Sequence, residues 1–248
     1  MPGAHLGSEE SAGDGGRGRV HGLRRMRLSL PAARHRGAEG RGVGIMKNND
    51  CLNVIITGVG GQGNILASHI LASAAINDGY QVVIGETYGQ SQRGGAVMSH
   101  VRISKDVSVG PLIPTGKADV IVALEPMEAL RVAAWYANPQ TRCIVNPRPN
   151  YPLMVLYGAQ EYPAVEELMK RLKEITAEVK VVKGTELAKE AGEAMASNVV
   201  MVGALAGSGW LPIPVEKFTG VLKDVIPRKV LTINQKAFEL GIAGIRQA

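Results

Sequence analysis

The chain has 248 residues, 45% apolar and 20% charged, with no long apolar run and no sustained repeat, the profile of one soluble globular unit. Its longest apolar stretches, such as Val199 to Ala206, fall far short of the roughly 18 residues a membrane-crossing helix needs, which excludes a helical membrane protein. Cys51 and Cys143 are the only cysteines, which excludes a disulfide framework and any cysteine motif for an iron–sulfur cluster or structural zinc. Aromatic residues at 4% speak against a base-stacking surface for single-stranded nucleic acid. The expected location is the cytoplasm.

The formal charge of +6 divides unevenly, because residues 1–45 hold eight arginines against Glu9, Glu10, Asp14 and Glu39. That leaves a net of +2 for the remainder, so the basicity belongs mostly to the tail. The same tail holds eleven of the 31 glycines and has neither helical nor strand periodicity. A segment of that composition cannot offset its ordering entropy by burial, so residues 1–46 are expected to be a disordered Arg/Gly-rich tail. An RNA-binding arm, a transit peptide and translated sequence upstream of a true start at Met46 are the readings it allows. Gly13, Asp14 and Gly15, with Asn48 and Asn49 further on, imitate a thiamine diphosphate signature. The strand and packed helix that signature requires are missing around it.

From residue 47 the pattern changes to alternating strand and helix signals. Leu52 to Thr57 reads as an apolar β-branched strand, Asn64 to Ile76 as a helix stopped by Asn77, Asp78 and Gly79, and Gln81 to Glu86 as a second strand. Ala96 to Ile103 alternates as a strand should. Ala118 to Leu124 and Thr141 to Val145 read as buried strands, with a helix over Pro126 to Ala134 between them. Val165, Leu168, Met169, Leu172 and Ile175 form the apolar stripe of a further helix. Val179 to Lys183 follows as a strand, then a helix capped by Thr185, an apolar helix opened by Asn198, and one that begins at Pro214. Gly203 inside the apolar helix implies a close backbone contact. The fold class is therefore α/β: a doubly wound, mostly parallel sheet with helices on both faces and a Rossmann-like first βαβ unit.

The chemistry concentrates at Gly58-Val59-Gly60-Gly61-Gln62-Gly63, between the first strand and the first helix. Glycines there allow a tight turn and close approach of a ligand, and a helix start offers unpaired N–H groups to a phosphate. The pattern satisfies GxGxxG, and Glu86 stands 23 residues beyond Gly63. A ribose-binding acid of a nicotinamide enzyme would stand at that distance, so a free-standing NAD(P)-binding reductase is one reading. The polar loop from Glu86 to Gly95 is not required by nicotinamide binding. Within it Arg93 offers a planar, permanently charged fork for phosphate or carboxylate.

GVGGQG, then ETYGQSQRGGAVMSHVR, then PLIPTGKADVIVALEPMEALR, in this order, resemble the gamma-type domain of the 2-oxoacid:ferredoxin oxidoreductase family. The match runs over residues 47–244 and includes NVVMVGALAG at Asn198 and the closing NQKAFELG. The loop wording is shared with gamma subunits that act on pyruvate or 2-oxoglutarate, while the PLIP block favours the indolepyruvate type. The resemblance implies a small subunit of a complex that converts 2-oxoacids to acyl-CoA, inactive alone. It implies a large alpha subunit carrying thiamine diphosphate, magnesium and [4Fe-4S] clusters, ferredoxin as electron acceptor and coenzyme A as a co-substrate, with the glycine turn and Arg93 facing the large subunit and contacting either coenzyme A or the diphosphate end of the active site. Neither nucleic acid nor membrane is an expected partner. The candidate cofactor-contacting residues are Gly58, Gly60, Gly61, Gln62, Gly63, Tyr88, Ser91, Gln92, Arg93, Gly94 and Gly95; no catalytic or metal-ligating residue is assigned.

Other candidates read as structural. His100 shares a strand face with Met98 and Arg102 and suits packing or surface more than acid–base work. His69 lies in an apolar helix without ligand spacing and is expected to pack. Cys143 falls in a buried strand and should be inert. Glu125 and Glu128 at a helix start complement its dipole or touch a ligand. Tyr88 is placed to stack on a ring or to fill an interface.

Overall fold

The computed structural model describes residues 51–89, 95–105 and 109–248. The readings of the tail, of Gly13 to Gly15 with Asn48 and Asn49, and of Ser91, Gln92, Arg93 and Gly94 lie outside the described residues.

In chain order the elements are β1 (Cys51–Val59), α1 (Asn64–Asn77), β2 (Gln81–Tyr88), β3 (Ala96–Ser104), β4 (Val120–Ala123), α2 (Pro126–Tyr136), β5 (Arg142–Val145) and the short α3 (Leu153–Leu156). There follow α4 (Val165–Ile175), β6 (Glu178–Val181), α5 (Gly184–Ala191), a 3-10 turn over Ala194–Ala196, α6 (Ser197–Gly207), α7 (Val215–Val225) and α8 (Arg228–Arg246).

The six strands form one sheet in the order β2-β3-β1-β4-β5-β6. β1, β4, β5 and β6 pair in parallel, and β3 runs antiparallel to both β1 and β2, so five strands point one way and β3 alone opposes them. The expected mostly parallel α/β sheet is present. The first βαβ unit differs from a Rossmann unit because β3 is inserted between β1 and β2. The alternation in Ala96 to Ile103 carries the reason: a strand that follows its neighbour after a short loop returns antiparallel to it.

Each face of the sheet is covered. Val54 and Ile56 face a core built with α1 and with α5 to α8, whereas Ile55, Ile121 and Cys143 face a second core under α2 and α4. β1 is thus buried on both sides, which is why it reads as an unbroken apolar run. α1 and α2 leave adjacent strands, β1 and β4, for opposite faces, and this divergence opens a crevice at the carboxyl ends of those strands.

α6 is buried from Asn198 to Ala206 and packs along α8, an element absent from the sequence-based assignment. A Cβ on Gly203 would collide with the carbonyl of Phe238, and one on Gly241 with the carbonyl of Val200. The close contact expected at Gly203 is therefore present. Thr185 lies inside the first turn of α5, whose N-cap is Lys183, so its expected capping role is not observed. Asn198 likewise sits within α6 rather than before it.

These helix glycines make opposite predictions. Gly203→Ala should lower the unfolding free energy by about 1–3 kcal/mol, the usual cost of overpacking. Gly220→Ala, in α7 where a Cβ meets nothing within 4 Å, should raise it by about 0.5–1 kcal/mol. Denaturant titration of the two variants against the parent checks both signs.

Candidate functional site

The glycine turn sits at the mouth of the crevice between β1 and β4. Gly61 at φ 102° and Gly63 at φ 83° occupy the left-handed region that glycine alone adopts freely. Gly58 is needed for a different reason: a Cβ there would lie 2.6 Å from Gln62 Oε1 and 3.0 Å from Leu124 Cβ.

Side-chain amides fix the shape of the turn. Gln62 Oε1 accepts from Val59 N at 2.7 Å, and Gln62 Nε2 donates to Leu124 O at 3.2 Å, so this side chain staples the turn to the end of β4. Asn64 Nδ2 donates to Val97 O at 3.0 Å. Asn198 Nδ2 donates to Gly63 O at 3.1 Å, across 135 residues of chain. Gly60 N donates to Gly95 O at 2.8 Å, tying the turn to the start of β3.

These contacts leave one side of the turn open. Gly60, Gly61, Gly63, Asn64, Tyr88 and Gly89 line a hollow of about 700 Å³. The N–H groups of Gly61, Gly63, Asn64 and Ile65 have no acceptor among the described residues, and the first turn of α1 carries no acidic residue. On the side facing Gly58, buried Asn64 keeps an Oδ1 without a partner among the described residues. A helix start of this kind suits a phosphate: its donors are unpaired, its dipole is positive outward and no carboxylate repels the anion.

Of the residues expected from sequence, Gly60, Gly61, Gly63 and Tyr88 meet on this hollow. Gly58 and Gln62 stand behind it as supports, and Gly95 contributes the carbonyl that holds Gly60. Asn198 escaped the sequence reading, where it appeared only as a helix opener. Glu86 fits poorly as a ribose acid, because β3 separates its strand from β1 and its carboxylate already accepts the Tyr88 hydroxyl.

The remaining candidates resolve by environment. His100 is fully buried, its Nδ1 accepts from Ile113 N at 3.3 Å, and its ring meets Tyr136 edge-on at 5.3 Å. Burial lowers its pKa, so it packs as a neutral ring. His69 contradicts its expectation: it is exposed, because Ala67, Ile70, Leu71 and Ala74 form the inward face of α1. Cys143 is buried and its thiol is pushed up to about 12 by desolvation, which keeps it unreactive. Glu125 caps α2 by accepting from Glu128 N at 2.8 Å, and it also accepts the hydroxyl of Tyr162. Burial pushes the Glu128 carboxyl up to about 6, against a weaker opposing pull from Arg131.

That shift has a defined sign. The folded chain holds the Glu128 proton more tightly than the ordinary value of 4.5, so stability falls as pH rises from 4.5 through 6. Glu128→Gln should be more stable than the parent by about 1 kcal/mol at pH 8, after allowance for solvent in the adjoining hollow. The difference should vanish by about pH 4, as read by denaturant titration at each pH.

Residues 53–244 match the family model described as pyruvate ferredoxin/flavodoxin oxidoreductase. The chain is 43% identical over 190 residues to the indolepyruvate oxidoreductase subunit IorB of Archaeoglobus fulgidus, covering 77% of this chain and 93% of that one. It is 39% identical over 196 residues to the subunit of the same name from Thermococcus kodakarensis, covering 79% and 96%. Against the pyruvate/ketoisovalerate oxidoreductases common subunit gamma of Pyrococcus furiosus the identity is 27% over 189 residues, covering 75% and 92%. The crystal structure of a keto/oxoacid ferredoxin oxidoreductase gamma subunit from Geobacter sulfurreducens superposes with a TM-score of 0.58 at 25% identity, covering 79% of this chain and 99% of that one. A family model matched over residues 53–244, and relatives of 39–43% identity matched over nearly their full length, place this protein in the pyruvate ferredoxin/flavodoxin oxidoreductase family.

Proposed function

We propose that the chain is the small subunit of an indolepyruvate:ferredoxin oxidoreductase. The observation that carries this reading is the 43% identity to an indolepyruvate oxidoreductase subunit IorB over 93% of its length, against 27% to a pyruvate/ketoisovalerate gamma subunit. In the reaction an arylpyruvate and coenzyme A yield an aryl-acetyl-CoA, carbon dioxide and a proton, and two electrons pass singly to two ferredoxins.

Two cysteines cannot supply the four thiolates of a [4Fe-4S] cluster, so this reading gives the redox centres to a larger partner subunit. Thiamine diphosphate with magnesium, in the same partner, supplies the electron sink that decarboxylation needs. The part left to this chain is binding and orientation. The N–H groups of Gly61, Gly63, Asn64 and Ile65 fit a phosphate of coenzyme A, and the hydroxyl of Tyr88, held on Glu86, fixes the outer wall of that hollow. Arg93 is the cation assigned to the same anion. Among the described residues no helix is long and apolar enough to cross a membrane, and the proposed location is the cytoplasm.

Purification of the chain with and without its large partner tests the reading. The complex should oxidise indolepyruvate in a coenzyme A-dependent reaction that reduces ferredoxin, and the chain alone should turn over nothing. Turnover by the isolated chain, or a complex that prefers pyruvate to arylpyruvates, would contradict it.

A further inference from the structure

A second hollow, of about 320 Å³, lies between α2 and the end of the β2–β3 pair. It shares Tyr88 and Gly89 with the hollow at the glycine turn, so the two adjoin along that wall. Its volume is at the lower end of the range for small-molecule pockets, enough for a ring rather than a whole cofactor.

One face of α2 builds one wall of it, opposite residues of β2 and β3. Glu128, Arg131, Val132 and Trp135 recur at intervals of three and four residues, which stacks them on one side of a helix. Met98 and Val132 supply apolar surface, and Tyr136 lies against the buried ring of His100, which fixes its orientation. Trp135 is 67% exposed and Tyr88 57%, so two large rings border the hollow without covering of their own. Aromatic surface so placed gains by stacking on another ring.

The hollow also holds a buried acceptor. Glu128 is 6% exposed, yet no donor among the described residues makes a hydrogen bond to its carboxylate. Among the described residues its ion-pair partner is Arg131 Nη2 at 3.4 Å, from a side chain that is itself 58% exposed. A largely enclosed carboxylate on the lining of the hollow can accept an N–H from a ligand there. With its carboxyl at about 6, Glu128 is an ionised acceptor at neutral pH.

We infer that this hollow binds a planar aromatic ring carrying an N–H donor, with the ring against Trp135 and the N–H directed to Glu128. The inference rests on the proposed reaction, which brings two groups of this chemistry to the complex: the indole of the substrate and the adenine of coenzyme A. Stacking on the Trp135 ring favours a flat group and the carboxylate favours the N–H, so both sources satisfy the same recognition.

Steady-state kinetics of the purified complex, carrying Trp135→Ala or Glu128→Leu in this chain, tests the assignment and separates the sources. If the ring is the substrate's, kcat/KM for indolepyruvate should fall about tenfold in both variants while KM for coenzyme A is unchanged. Phenylpyruvate, which lacks the N–H, should then respond to Trp135→Ala and not to Glu128→Leu. If the ring is adenine, KM for coenzyme A should rise about tenfold in both variants, and quenching of Trp135 fluorescence by coenzyme A should be absent from Trp135→Ala. All constants within twofold of the parent in both variants would overturn the inference. So would loss of the large subunit from Trp135→Ala, which would make this surface a docking face. A parent complex that oxidises indolepyruvate with coenzyme A leaves the proposed function standing in either case.

Discussion

The hydrogen bond from Asn198 Nδ2 to Gly63 O joins the two halves of the chain at the point where a ligand would sit. Gly63 carries a positive φ and begins α1, so its carbonyl and N–H point in directions that an ordinary helix start would not impose. Asn198 fixes that carbonyl from behind, while Gln62 and Asn64 anchor the turn to β4 and β3. With the turn anchored in this way from its inner side, the donors on the outer side remain unpaired and preorganised. A turn held by three side-chain amides does not have to reorganise when an anion arrives, and that saves binding energy.

Position depends on the sheet. Because α1 and α2 leave neighbouring strands for opposite faces, the turn stands at the edge of a crevice and not under a helix. The insertion of β3 between β1 and β2 then changes what the crevice can hold. In a nicotinamide-binding unit the second strand lies beside the first and brings a ribose acid close to the turn. Here β3 occupies that place, Glu86 is moved one strand outward and engages Tyr88, and the turn meets the end of the β2–β3 pair. A GxGxxG sequence thus serves a different wall, one suited to a phosphate whose remaining contacts come from elsewhere.

The local elements were legible in the sequence because their signals are local. The apolar run of β1, the stripe of α4 and the glycine turn each follow from residues within a few positions of one another. The insertion of β3 was less legible, since alternation reveals an antiparallel strand without naming its neighbours. Asn198 was invisible as a support because its partner is 135 residues away. His69 was misjudged for a simpler reason: α1 is apolar nearly all round, so composition did not reveal which face turns inward. Glu128 shows the same limit, as a helix-start acid reads as a dipole partner until the walls around it are known.

We propose that the open donors of the glycine turn receive a phosphate of coenzyme A within the assembled complex. Hydrogen exchange of the amides of Gly61 to Ile65, measured on the complex with and without coenzyme A, tests it directly. Exchange at these amides should slow on addition of coenzyme A. Exchange unchanged there, while the complex binds coenzyme A, would contradict it.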